Sequence, residues 1–214
     1  MNVLITGTGR GMGLAMAKKF LQEGHTVYGV DLLPSALGHE NYCHLQADIR
    51  TARVEAPELH ILINNAGTLE EGNAMDVNLT ATMDFTERHV NNPALRSVVF
   101  IASASARNGA EFPRYVASKA GLVGYMKYLA LNLAPRGVTV NSVSPGGVIT
   151  PANAHILENK ALYDAVKAET LLGKWAEASE VADLVYYLSV INRSITGEDI
   201  LMDNGEQLKS NFIW

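Results

Sequence analysis

Cysteine is nearly absent. Cys43 is the only one in 214 residues, which excludes an internal disulfide framework. Its place in a short apolar run points to a buried small hydrophobe. Positive charge is scarce as well: 17 Lys and Arg face 22 Asp and Glu, for a net charge of −5. The chain therefore lacks the basic footprint that a nucleic acid or an anionic membrane requires. No apolar run approaches the ~18 residues that would cross a bilayer. The opening Met1-Asn2-Val3-Leu4-Ile5 has neither the basic stretch nor the long apolar core of a secretion signal, so a cytoplasmic location is expected. There is no internal repeat, low-complexity tract or linker, and no metal site is expected. The length suits one domain, 1–214, around one sizeable core.

What is present is a regular alternation of apolar runs and helix-period stretches. Strands are predicted at Val3–Thr6, Thr26–Val30, Cys43–Ala47, Leu59–Ile63, Ser97–Ala102, Val138–Val143 and Asp199–Met202. Helices are predicted at Met12–Glu23, Ala74–Val90, Tyr115–Leu133, Asn153–Ala168 and Ser179–Val190. Continuous apolar strands separated by helices mean a parallel sheet covered on both faces. Right-handed crossovers then give a doubly wound, Rossmann-like α/β fold of about seven strands, with any ligand at the carboxyl ends of the strands.

The first strand runs into Gly7-Thr8-Gly9-Arg10-Gly11-Met12-Gly13, which opens a helix. Glycines permit a tight turn and close backbone approach, and a helix start offers free N–H groups and a positive dipole end. Strand, glycine loop and helix in this order read as a dinucleotide site. Asp31 follows the second strand, where a carboxylate accepts hydrogen bonds from the adenosine ribose and repels a 2′-phosphate. That favours NAD. Arg10 argues the other way, because a cation in the loop suits the 2′-phosphate of NADP.

Tyr115 and Lys119 are four residues apart, so on a helix they share a face. A phenol titrates near 10 and needs help to exchange protons at neutral pH. An ammonium about 5 Å away, at an effective dielectric near 20, supplies roughly 3 kcal/mol, or about two pK units. The tyrosine is then suited to general acid–base work.

Together with Ala47-Asp48-Ile49, Asn64-Asn65-Ala66-Gly67, Val77-Asn78-Leu79, Ser103 and Asn141-Ser142-Val143-Ser144-Pro145-Gly146, these runs resemble the short-chain dehydrogenase/reductase superfamily, in its short single-domain branch. Leu172-Gly173-Lys174-Trp175, Ile195-Thr196-Gly197 and Met202-Asp203-Asn204-Gly205 are similar to its C-terminal half. The resemblance implies hydride transfer between NAD(H) and a small secondary alcohol or ketone. It makes Tyr115 the acid/base, Ser103 the holder of the substrate oxygen and Lys119 the partner of tyrosine and nicotinamide ribose. Asn78 would hold a water that links the lysine to solvent. Ser105 rivals Ser103, although the spacing to Tyr115 favours Ser103. Asp48 and Ile49 would meet the adenine, and Asn65, Ala66 and Gly67 would line the ribose side. Pro145, Gly146 and Val148 would pass the nicotinamide, and Thr150 would reach its amide or the pyrophosphate. The segment from about Ala152 to Thr170 would close the cleft, with His155 on the surface. A homodimer or homotetramer is implied, with Ala81, Phe85, Leu122, Tyr125, Leu129 and Leu133 either at its contacts or packed on the chain's own sheet. Alternatives are an NADP-dependent ketone or 3-oxoacyl reductase, a sensor that binds a dinucleotide without turnover, and non-redox chemistry on the same fold.

Two departures stand out. Only Arg50 to Glu58 separate the third and fourth strands, where the family has a full crossover helix, and Thr68 to Ala74 is abbreviated. Both put the adenine end and one sheet face in question.

Overall fold

A computed structural model describes residues 1–209; the last five positions of the predicted 1–214 domain lie outside the described residues. Seven parallel strands form one sheet in the order β3-β2-β1-β4-β5-β6-β9. They are β1 (Asn2–Thr6), β2 (Thr26–Asp31), β3 (Tyr42–Gln46), β4 (Leu59–Asn64), β5 (Ser97–Ile101), β6 (Thr139–Pro145) and β9 (Asp199–Met202). The order reverses between β1 and β4, and a crevice opens beyond the carboxyl ends of strands at such a switch point. No helix among the described residues is long and apolar enough to cross a membrane.

Each sheet face has its own apolar layer. Helix α1 (Gly11–Gln22) and α7 (Ala178–Tyr186) bring Met16, Phe20, Val181 and Val185 to one face. Helix α2 (Thr82–Glu87) and α4 (Pro113–Leu133) bring Phe85, Leu122, Met126 and Leu129 to the other. The candidate assembly residues Ala81, Phe85, Leu122, Tyr125, Leu129 and Leu133 are all buried in this second layer, against the chain's own sheet. The large apolar side chains that α4 leaves exposed are Tyr128 and Leu131.

The missing crossover helix has a visible effect. Residues 47–58 form no helix, so nothing among the described residues covers the outer part of one face of β3. Cys43, expected to be buried, is exposed there, as is Leu45. Both correspond to alternate positions on an edge strand, so they share the uncovered face.

Other elements also differ from the sequence pattern. The helix predicted at Ala74–Val90 is π-helical over Met75–Ala81 before α2, a wider winding often found where a functional side chain must be re-aimed. The single helix predicted over Asn153–Ala168 is broken into α5 (Ala154–Leu157) and α6 (Lys160–Ala168). Asn159 causes the break, because its side chain caps α6 by accepting from Leu162 N at 3.1 Å. Finally, β7 (Val148–Ile149) and β8 (Ala176–Glu177) form a separate parallel pair, and α3 (Ser105–Asn108) follows β5; neither has a periodicity long enough to read.

Candidate active site

The glycine loop fits an anionic dinucleotide. Gly7 has φ +78°, in the left-handed region, and a side chain there would meet Asn65 at 2.6 Å. A Cβ on Gly13 would lie 1.9 Å from the Gly7 carbonyl oxygen, so only glycine allows α1 to start this close to β1. The start of α1 has no side-chain cap and no acidic residue in its first turn. Its N–H groups are thus left for a phosphate, which the dipole favours. Asn65 pins the loop to β4, donating from Nδ2 to the carbonyls of Thr6 at 3.0 Å and Gly7 at 3.1 Å.

Two cavities meet at this loop. One, of about 500 Å³, is walled by Gly7, Gly11, Asp31, Asp48, Ile49 and Ala66. The other, of about 430 Å³, is walled by Ser103, Tyr115, Lys119, Pro145, Gly146 and Val148. Arg10, Met12, Asn65, Gly67 and Thr150 line both, which makes them one continuous cleft.

Asp31 is fixed from both sides. Its Oδ2 accepts from Gly9 N at 2.7 Å and its Oδ1 from Leu33 N at 2.8 Å. The carboxylate of Asp48 is engaged by Arg50, whose Nε donates to its two oxygens at 3.1 and 3.0 Å. Arg50 Nη1 reaches on to Asp76 Oδ2 at 3.3 Å. Arg50 thereby forms part of the wall where the crossover helix is missing.

At the other end, Lys119 is buried and donates to the Ile101 carbonyl at 2.8 Å. Burial pushes its ammonium down to about 8. The nitrogen is 5.8 Å from the centre of the Tyr115 ring. The lowering of the phenol expected from this neighbour does not occur: the phenol lies above its ordinary value. Burial pushes the Tyr115 phenol up, the adjacent Ser103 hydroxyl pulls it down, and the Glu111 charge pushes it further up. Pro at the first position of α4 fixes where the helix begins, and Glu71 Oε1 accepts from Arg114 N at 2.8 Å in its first turn.

Three predicted residues stand behind the cleft. Gly9 packs on Asp31 and Gly13 on Gly7. Asn78 spends its amide on the chain: Oδ1 accepts from Thr68 N at 2.7 Å, and Nδ2 donates to Thr68 O at 2.9 Å and Ser118 Oγ at 3.1 Å. It nonetheless flanks the cleft, since a side chain on Gly67 would meet Asn78 Oδ1 at 3.1 Å and Lys119 Nζ at 3.4 Å. Of the rival serines, Ser103 lines the cavity and Ser105 does not.

Sequence reasoning missed Arg50, Glu70 and Glu111, which line the cleft but sit in runs with no recognisable spacing. It also left the role of Trp175 unread. That ring is buried against Gly147, where a Cβ would come within 2.2 Å of it, and so braces the turn before Val148.

The fold and cleft define a class, the Rossmann-fold oxidoreductases that use a nicotinamide dinucleotide. A family model described as enoyl-(acyl carrier protein) reductase matches residues 40–207. A 3-alpha-(or 20-beta)-hydroxysteroid dehydrogenase of Mycobacterium bovis is 31% identical, covering 94% of this chain and 87% of its own. That match runs over 234 residues, more than the chain's 214, so this chain is deleted relative to it. The 3-oxoacyl-(acyl-carrier-protein) reductase FabG of Buchnera aphidicola is 28% identical over 94% of this chain and 95% of its own. A solved 4-hydroxyisoleucine dehydrogenase complexed with NADH superposes with TM-score 0.85 and 27% identity, covering 98% of this chain and 99% of that one. The chain belongs to the short-chain dehydrogenase/reductase superfamily.

Proposed function

We propose that this protein interconverts a small secondary alcohol and its ketone with NAD(H). The observation that carries the reading is that Ser103, Tyr115 and Lys119 line one cavity that opens directly onto the glycine loop. The balanced reaction is secondary alcohol plus NAD⁺ to ketone plus NADH plus one proton. Bound in the cleft, the nicotinamide takes up or returns the hydride. Everything else falls to the chain's own groups.

Gly7, Gly11 and Met12 border the pyrophosphate at the start of α1, and Gly9 and Gly13 shape the loop from behind. Asp31 binds the adenosine ribose. Asp48, Ile49, Asn65, Ala66 and Gly67 line the adenine and ribose walls, and Pro145, Gly146, Val148 and Thr150 border the nicotinamide. Ser103 donates a hydrogen bond to the substrate oxygen. Tyr115 takes the hydroxyl proton in oxidation and gives it back in reduction. Lys119, beside the Tyr115 ring, holds the nicotinamide ribose. Asn78 positions the lysine's surroundings through Thr68 and Gly67.

Asp31 supports NAD, because a second anion beside it would be repelled. Arg10, exposed at the cleft, favours the other reading, an NADP-dependent ketone or 3-oxoacyl reductase. Assembly as a homodimer or homotetramer would cover the exposed Tyr128 and Leu131 of α4.

The test is NADH formation or consumption with a panel of alcohols and ketones. Tyr115→Phe should lower turnover by at least about a thousandfold while NADH binding, read by fluorescence, persists. Turnover that survives in Tyr115→Phe refutes the assigned chemistry. Tight NADH binding without turnover on any substrate would make the protein a sensor.

A further inference from the structure

Two carboxylates at the substrate end of the cleft, Glu111 and Glu206, lack partners. Glu111 lines the cavity four residues before Tyr115, and its charge acts on that phenol. Glu206 approaches from the C-terminal side. Its Oε2 is 3.2 Å from where a side chain on Gly146 would begin, and Gly146 lines the same cavity. Both carboxylates are pushed upward, each by its own surroundings. Burial and the Glu206 charge push Glu111 up, and burial with Asp203 and Glu169 pushes Glu206 up. Among the described residues neither side chain has an ion pair or a hydrogen bond. The cations that line this cavity are Arg10, at the glycine loop, and Lys119, held on the Ile101 carbonyl.

Both carboxylates are placed by the fold. Glu111 has φ +99°, a conformation that a side-chain-bearing residue keeps only when its surroundings impose it. Asn108 Oδ1, accepting from Ala110 N at 2.9 Å, fixes one side, and Pro113 starting α4 fixes the other. The Glu206 segment is tied down by Gln207, whose Nε2 donates to Ala104 O at 2.9 Å, next to Ser103. Asp203 accepts from Gly205 N and Gln207 N, both at 2.9 Å, and sets the turn. Unpaired carboxylates beside a cavity attract a cation and oppose an anion.

We propose that the substrate carries a cationic nitrogen, an ammonium or guanidinium group, next to the reacting carbon and paired with Glu111 and Glu206. This rests on the alcohol/ketone reading of the same site. It names amino alcohols and amino ketones as the substrate class, and it disfavours carboxylates and phosphate-bearing acyl carriers.

The experiment compares n-butylammonium with butyrate by calorimetric titration, on the free protein and with NADH present. Alongside, it compares turnover of an amino ketone with that of its neutral N-acetyl form. The ammonium should bind at least about tenfold more tightly than the carboxylate, and the amino ketone should show a kcat/KM at least about tenfold higher. In the Glu111→Gln, Glu206→Gln double variant the ammonium-to-carboxylate ratio should fall to within about threefold of unity. Equal binding of the two ions by the native protein, or tighter binding of butyrate, overturns the inference, whatever the variant does. Turnover of neutral ketones without an ammonium preference overturns it and leaves the oxidoreductase reading standing. An ammonium preference in a protein that turns over nothing upholds the inference and refutes that reading.

Discussion

The hydroxyl oxygens of Ser103 and Ser105 lie 2.6 Å apart, and Ser103 Oγ also accepts from the Ser105 backbone N–H at 3.2 Å. Only Ser103 lines the cavity, so Ser105 acts by orienting it. Ser103→Ala should lower kcat by about a hundredfold or more, whereas Ser105→Ala should lower it less than about tenfold. Steady-state kinetics on both variants decide this, and a larger loss in Ser105→Ala would exchange their roles.

Lys119 gives a pH signature in stability. Its folded-state value of about 8 lies below the ordinary 10.5, so between these values the unfolded chain binds more protons than the folded one. Stability of the cofactor-free protein should therefore climb with pH across that window. Below it the buried ammonium is a constant penalty of roughly 3 kcal/mol, of which the Ile101 hydrogen bond recovers about 1. Lys119→Met should be more stable than the native protein at pH 7 by about 1–2 kcal/mol, and the gain should vanish above pH ~10.5. Denaturant melts at the two pH values test this. A variant less stable at neutral pH sinks it.

Asp31 holds both Gly9 and Leu33, so its replacement loosens the loop as well as removing a charge. Asp31→Asn keeps the size and one of the two acceptors, and lowers the repulsion of a 2′-phosphate. The NADPH-to-NADH ratio of kcat/KM should rise by at least about tenfold. An unchanged ratio would mean that Arg10, not Asp31, sets the choice.

Arg50 is held at the cleft wall by Asp48 and Asp76, where the adenine is proposed to sit. A guanidinium over a purine contributes about 0.5–2 kcal/mol, so Arg50→Ala should weaken AMP and NADH binding by about three- to thirtyfold. Nicotinamide mononucleotide, which has no adenine, should bind as before. Competition titrations separate the two, and equal weakening of both ligands would mean that the loop has collapsed.

Gly147 touches the Trp175 ring so closely that Gly147→Ala must displace one of them. Overpacking of this kind costs about 1–3 kcal/mol. The strain falls on the turn that carries Val148, so KM for NADH should rise along with the drop in melting midpoint. A stable variant with native KM would show that the brace is slack.

The sheet, its direction and its glycine loop were legible because each left a pattern of its own: apolar runs, helix periods, and glycines between them. Asp199–Met202 matches its predicted bounds, and α4 begins two residues before Tyr115 because Pro113 can open a helix but not continue one. Cys43 was misread because its apolar neighbours say nothing about whether a helix covers them; that depends on the residues missing after Asp48. The break at Asn159 was missed because a capping asparagine inside a periodic stretch looks like a polar surface position. Glu111 left no signal either, because its importance comes from Glu206, ninety-five positions away in sequence and brought near by folding.

The bare link from β3 to β4 also bears on how the molecule forms and breathes. A closure of about a dozen residues instead of twice that spares roughly 0.6 kcal/mol of chain entropy when the two halves of the sheet meet. The same economy strips β3 of a packing layer, so this edge should be the first part of the sheet to open. Its amides should exchange with deuterium well before those of β4 and β5. The adenine end of the cleft thus rests on the part of the sheet that comes and goes most easily, and binding the dinucleotide should slow its exchange.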